Sequence, residues 1–191
     1  MNPKIRIVIL SVVLVAIIAT ASFAYSSMSE DAAPPSMATQ APTVSGEPTP
    51  ERDLIKAPDF TVYTESGTAV KLSDFIGTPV VVNFWATWCG YCTEEMPLFQ
   101  DAWDSEGGEI AFMMLNCTYG QTETVESAAK YIRDAGYTFP VYYDTKQEAQ
   151  YLYSIRSLPT TLFVDTEGNI AASQIGMLTE DVLQKGLELI K

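Results

Sequence analysis

Val80-Val81-Val82-Asn83-Phe84-Trp85-Ala86-Thr87-Trp88-Cys89-Gly90-Tyr91-Cys92-Thr93-Glu94-Glu95-Met96-Pro97 opens with β-branched and aromatic residues too apolar to keep one face in water. Such a run reads as a fully buried central strand. Two cysteines separated by two residues follow, and the residues after them can run on as a helix. A strand that feeds a helix through Cys-x-x-Cys puts the first sulfur where unpaired backbone N–H groups and the positive end of the helix macrodipole converge. That environment favours thiolate over thiol, lowers the cysteine pKa and makes the sulfur nucleophilic. Cys89 is therefore the expected nucleophile. Cys92, one helical turn on and facing inward, is the expected resolving thiol.

The other residues narrow the chemistry. A chain of 191 residues holds one domain of ordinary size with appendages. Its formal net charge of −13 makes nucleic acid and anionic lipid poor partners for the folded part. There is no histidine. Ser-His-Asp and Cys-His catalysis are thereby excluded, as are His-ligated zinc or copper sites. Covalent haem attachment is excluded too, because Thr93 stands where Cys-x-x-Cys-His needs its last residue. Three cysteines cannot build a disulfide framework, so the compartment has to be read from targeting signals. No metal site is expected, and no cofactor beyond the cysteine pair.

Lys4 and Arg6 precede an almost unbroken apolar run from Ile7 to Tyr25. Its length of about 19 residues is marginal for a helix that spans a bilayer. Ala19-Thr20-Ala21 offers a small-residue cleavage site, so a cleaved secretory signal competes with an uncleaved anchor. The run exceeds the usual signal core of about 7–15 residues, which favours the anchor. No cysteine lies nearby, so lipid attachment there is excluded. Both readings put the rest of the chain outside the cytoplasm, with the basic residues ahead of the apolar run as the positive-inside rule requires. Residues 26–53 contain Pro34, Pro35, Pro42, Pro48 and Pro50 among Ser, Thr and Ala, and read as a disordered or extended tether. The folded domain is expected over residues 54–191.

Within it, Phe60–Tyr63 and Ala69–Leu72 flank Thr64–Thr68 and read as a hairpin through a glycine turn. Ser73-Asp74-Phe75 can cap a short helical turn. Pro97 should kink the helix after Cys89. Glu109–Leu115 reads as a second buried strand. Thr122–Ala135 reads as a helix with Val125, Ala128, Ala129 and Ile132 at helical spacing, ended by Gly136. Thr138–Tyr143 and Thr160–Asp165 are expected strands around a short helix at Gln147–Ile155. A turn at Thr166–Asn169 leads into Ile170–Ile175, and Thr179 opens a closing helix with Glu180 and Asp181 in its first turn. Strands that alternate with helices and finish on a hairpin predict an α/β fold, a mixed sheet flanked by helices on both faces.

Trp88-Cys89-Gly90-Tyr91-Cys92 with a later Leu158-Pro159-Thr160 resembles the thioredoxin fold. Four further features narrow the resemblance to TlpA-like proteins, which include the ResA-type reductases of cytochrome c maturation. They are Pro58-Asp59-Phe60, the Leu72-Ser73-Asp74-Phe75 turn, Asn83 through Cys89, and an extra strand–helix segment ending in Phe139-Pro140-Val141. The resemblance covers residues 54–191. It implies a thioredoxin-like fold with an N-terminal β-hairpin and an inserted strand–helix, anchored to the membrane by the N-terminal segment. It also implies that Pro159 is a cis-proline beside the two sulfurs. A proline at the start of a strand donates no ladder bond, and a cis X-Pro bond would turn the chain sharply. The backbone of Leu158 would then be free to pair with an extended substrate. Trp88, Gly90, Tyr91, Leu158 and Pro159 form the expected substrate-binding rim.

Glu95 matches the acidic residue that ResA-like members carry three positions after the second cysteine. One helical turn separates it from Cys92, so the two side chains can share a face. A carboxyl group buried there would have a raised pKa and could pass protons to or from Cys92, while Glu94 reads as solvated. Asn83 occupies the place of the buried aspartate of cytoplasmic thioredoxins, which leaves Glu95 as the substitute. Gly90-Tyr91 departs from the Gly-Pro of reducing thioredoxins and restores an N–H at Tyr91 that can bond the Cys89 thiolate. A stabilised thiolate makes the couple more oxidising. Cys117 reads as a small hydrophobe at a strand end, and Phe84, Trp85 and Trp88 as core and active-site rim.

The expected protein is a monomeric, extracytoplasmic thiol–disulfide oxidoreductase that reduces protein disulfides through a mixed disulfide on Cys89. Dithiol oxidation or isomerisation by the same pair is the alternative that Gly90-Tyr91 favours. The resemblance implies a membrane electron donor of the CcdA or DsbD type, and apocytochrome c or oxidised methionine sulfoxide reductase among the substrates. A peroxiredoxin-type peroxidase would need Pro-x-x-x-Thr-x-x-Cys, and Val82 and Ala86 occupy its first two defined positions. A copper carrier without histidine would rest on thiolates and methionines alone.

Overall fold

The computed structural model describes residues 54–191. The expected membrane segment (1–25) and tether (26–53) lie outside the described residues. In chain order the strands are β1 (Ile55–Lys56), β2 (Thr61–Tyr63), β3 (Ala69–Lys71), β4 (Val80–Trp85), β5 (Ala111–Asn116), β6 (Val141–Tyr143), β7 (Thr160–Val164) and β8 (Asn169–Ile175). The helices are α1 (Gly90–Glu106), α2 (Val125–Ala135), α3 (Glu148–Leu152) and α4 (Glu180–Ile190), with a 3₁₀ turn at Leu72–Phe75. One eight-stranded sheet runs β1-β8-β7-β4-β5-β6-β2-β3.

β4 lies near the middle and is buried at every position, as its unbroken apolar character demands. It pairs in parallel with β5 and antiparallel with β7. Its side chains alternate between two cores, as a pleated strand requires. Val81 and Trp85 join Met96 and Phe99 of α1, Ile132 of α2 and Leu187 of α4 on one face. Val80, Val82 and Phe84 meet Phe60, Val62, Leu72 and Ala149 on the other. Helices cover both faces, as expected, but unequally. Three long helices cover the first; the 3₁₀ turn and the five-residue α3 serve the second.

Gly186 shows how closely α4 is pressed on the sheet. A Cβ there would stand 2.2 Å from two ring carbons of Phe163. Alanine is favoured over glycine by about 1 kcal/mol in an open helix interior. Overpacking a filled core has the opposite sign, and Gly186→Ala is expected to lower stability by about 1–3 kcal/mol in urea unfolding.

The structure adjusts several expected boundaries. β1 was not anticipated; two residues are too few to show a pattern, and it forms by pairing Ile55 with Ile170. α2 starts at Val125, not Thr122, because Tyr119 and Glu123 first close a β-bridge. Thr124 then caps the helix by accepting the Ser127 N–H. Gly136 ends it at φ 76°, a left-handed conformation that glycine enters freely. α1 continues through Pro97, whose position faces solvent, so the missing N–H costs one bond without ending the helix.

Candidate active site

The register of β4 decides what surrounds the cysteines. Phe84 pairs with Thr160 and Trp85 with Asn116. The chain leaving β4 therefore passes between Pro159, just ahead of β7, and Cys117, just past β5. It turns at once into α1, and Cys89 is the N-cap of that helix. An N-cap side chain receives an amide of the first turn. Here the Cys89 Sγ accepts the Cys92 N–H at 3.2 Å. In this disulfide form the donor is Cys92, because cap geometry aims the third helical amide at the sulfur; the Tyr91 N–H is the donor expected to the thiolate of the reduced form.

Cys89 and Cys92 form a disulfide with Cα atoms 5.2 Å apart. Cys89 keeps 7% of its surface exposed and Cys92 none, so one sulfur alone can meet a macromolecule. Trp88 and Tyr91 flank it and are each 64% exposed, large apolar surfaces that no core claims. Gly90 opens the helix beside them with open space around its Cα. The Leu158–Pro159 bond is cis, as the resemblance implies. Pro159 accepts the Gly176 N–H at 2.8 Å, whereas the backbone of Leu158 has no hydrogen-bond partner among the described residues.

Glu95 is buried, one turn beyond Cys92, while Glu94 faces solvent. Its Oε1 accepts from Asn83 Nδ2 at 2.9 Å and its Oε2 from the Leu178 N–H at 2.8 Å. Asn83 also donates to Thr161 Oγ1 at 3.0 Å, tying β4, β7 and α1 together under the disulfide. Burial raises the Glu95 pKa from 4.5 to about 7, outweighing the two donors, which act to lower it. A carboxyl group that titrates near neutrality below a resolving thiol is equipped to move its proton.

Sequence reasoning missed Glu123. This buried carboxylate accepts the Thr87 N–H at 2.9 Å, the Thr87 hydroxyl at 2.6 Å and Asn116 Nδ2 at 2.6 Å. It thereby fixes the segment that delivers Trp88 and Cys89. The available signal was indirect: Thr87 follows one buried strand, Asn116 ends another, and both need polar partners. Cys117 is buried, as expected of a small hydrophobe. Burial, with the Asp144 and Glu123 carboxylates nearby, pushes its thiol pKa far up, so it stays protonated. Among the described residues no group of three or more His, Cys, Asp or Glu side chains is placed to hold a metal ion.

The AhpC/TSA family model matches residues 55–173, which include both sulfurs and Pro159. The thiol-disulfide oxidoreductase ResA of Geobacillus kaustophilus is 33% identical over 138 residues, covering 71% of this chain and 76% of that protein. The chain is a ResA-like member of the AhpC/TSA family. The ResA of Oceanobacillus iheyensis is 38% identical, with 67% of each chain covered. Among solved structures, a Chlorobium tepidum protein named as a thiol:disulfide interchange protein DsbE superposes with TM-score 0.64 at 27% identity, covering 72% of this chain and 97% of its own. The exposed lipoprotein thioredoxin of Streptococcus pneumoniae gives TM-score 0.60 at 26% identity, covering 69% and 98%. The fold is thioredoxin-like, and this ResA-like protein is a thiol–disulfide oxidoreductase with Cys89 and Cys92 as a bonded pair.

Proposed function

We propose that this ResA-like enzyme reduces protein disulfides outside the cytoplasm, held to the membrane by residues 1–25. The observation that carries the reading is one slightly exposed sulfur at a helix N-terminus, set beside the unpaired Leu158 backbone and the Trp88–Tyr91 rim. An extended polypeptide can add to Leu158 as a strand adds to a sheet edge, which brings its disulfide to Cys89. The Cys89 thiolate attacks one substrate sulfur, forming a mixed disulfide and releasing the other substrate sulfur as a thiolate that takes up a proton. Cys92 loses its proton toward Glu95 and attacks the Cys89 sulfur. The second substrate thiol leaves, and the enzyme is oxidised by two electrons. A membrane dithiol donor of the CcdA or DsbD type returns those electrons. Apocytochrome c and oxidised methionine sulfoxide reductase are candidate substrates.

The resemblance to ResA-type reductases favours reduction over the oxidising direction suggested by Gly90-Tyr91. Two readings in the host cell test it. Cys92→Ala is expected to accumulate as mixed disulfides between Cys89 and extracytoplasmic proteins. The wild-type pair is expected to rest reduced by thiol alkylation, and a pair found resting oxidised would reverse the electron direction.

A further inference from the structure

Acidic residues outnumber basic ones 24 to 11 in this chain. Two grooves near the sulfurs are walled by basic and neutral residues, with the buried Asp144 and Glu123 carboxylates behind Cys117. A cavity of about 290 Å³ opens between Trp88, Tyr119 and Leu158, and Arg156 forms part of its wall. Gln150, Ile155 and Arg156 also line a second, wider groove of about 980 Å³ that takes in Lys146 and Tyr151. Neither lining contains an Asp or Glu. Lys146 is already engaged, 5.1 Å over the Tyr63 ring. Arg133, Lys130 and Lys191 each have a carboxylate, whereas Lys71, Lys185 and Arg156 have none among the described residues; Arg156 alone of these three lines either groove. Arg156 is exposed and has no carboxylate or hydrogen-bond partner among the described residues, in a chain with carboxylates to spare.

We propose that Arg156, with Trp88, Tyr119 and Leu158, forms a subsite for an acidic side chain of the polypeptide whose disulfide is exchanged at Cys89. The guanidinium presents a planar fork that matches a carboxylate in two parallel hydrogen bonds. The aromatic and aliphatic walls supply contact area and partly exclude water, which strengthens such a pair over an open surface one. Position argues for a polypeptide occupant. Arg156 lies two residues before Leu158, so a strand laid along Leu158 passes the guanidinium at about 3.3 Å per residue. The acidic residue should accordingly stand two or three positions from the substrate cysteine. The chain's net charge does not oppose this, because at physiological salt exposed charges more than about 8 Å apart are largely screened.

The inference rests on the reading of a polypeptide substrate and deepens it. The test uses three cyclic disulfide peptides that differ only in carrying Glu, Gln or Lys two residues from one cysteine, and measures kcat/KM for exchange in both directions. Wild-type enzyme is expected to prefer Glu over Gln by roughly three- to tenfold, with the ratio shrinking as salt is added. Arg156→Gln should erase the preference, and Arg156→Glu should transfer it to the Lys peptide. That last result would show an intact enzyme with reversed selectivity. A wild-type ratio near one, a preference that survives in Arg156→Gln, or an equal loss toward all three peptides would overturn the subsite. A pair found to favour dithiol oxidation would change the direction proposed above and leave the charge preference readable in the other direction.

Discussion

Cys89→Ser is expected to abolish disulfide exchange, lowering kcat/KM by at least about a thousandfold, whereas Cys92→Ser completes the first half of the reaction and stops there. A serine hydroxyl in the same cap stays protonated at neutral pH and cannot open a disulfide. The Cys92→Ser enzyme keeps the sulfur that has access, so it should accumulate a one-to-one mixed disulfide with substrate, visible on a non-reducing gel. The asymmetry follows from burial: Cys89 retains 7% of its surface and Cys92 none. It also follows from the cap, since the Cys92 N–H points at the Cys89 sulfur at 3.2 Å. In the reduced enzyme the same amide would stabilise the Cys89 thiolate, a charge-assisted bond worth about 1.5–3 kcal/mol. Turnover by Cys89→Ser that exceeded that of Cys92→Ser would exchange the roles of the two sulfurs.

This half of the site was legible in the sequence because the information is local. A buried strand, a Cys-x-x-Cys and a helix start lie within eighteen consecutive residues, Val80–Pro97, and their order alone places a sulfur at a helix N-terminus. Leu158-Pro159 was read from a resemblance; the register of β7 on β4 shows how so distant a segment reaches the sulfurs. What escaped was set by tertiary contact. Glu123 reads in sequence as part of the helix Thr122–Ala135 but closes a β-bridge with Tyr119 instead, and its role exists only because Thr87 and Asn116 converge on it. The Leu178 N–H that holds Glu95 comes from the turn before α4, 83 residues along the chain. That the Cys92 N–H meets the Cys89 sulfur in the disulfide has a finer cause. Sequence shows which residues have an N–H, but cap geometry selects among them.

Glu95→Gln carries the second large effect, and it has two separable parts. Burial holds the Glu95 carboxyl near pKa 7 in the folded protein, against 4.5 as its ordinary value. Between those values the folded state binds a proton that the unfolded state has released, so stability falls as pH rises. The contribution is fully present below pH 4.5 and is lost as pH passes through about 7. The interval corresponds to on the order of 3 kcal/mol. Glutamine does not titrate, so the stability of Glu95→Gln relative to wild type should improve by about that amount between pH 4 and pH 8 in urea unfolding. In the reaction the same proton serves Cys92. The wild-type rate of mixed-disulfide resolution should rise through an inflection near pH 7, as ionised Glu95 becomes available to accept the thiol proton. Glu95→Gln should lose that inflection and, at neutral pH, about a hundredfold in rate. A purely structural carboxyl group would give the stability trend alone, and an unchanged rate profile would remove Glu95 from the chemistry. If both parts appear, the enzyme keeps an acid whose ionisation weakens the fold because that same ionisation completes the exchange.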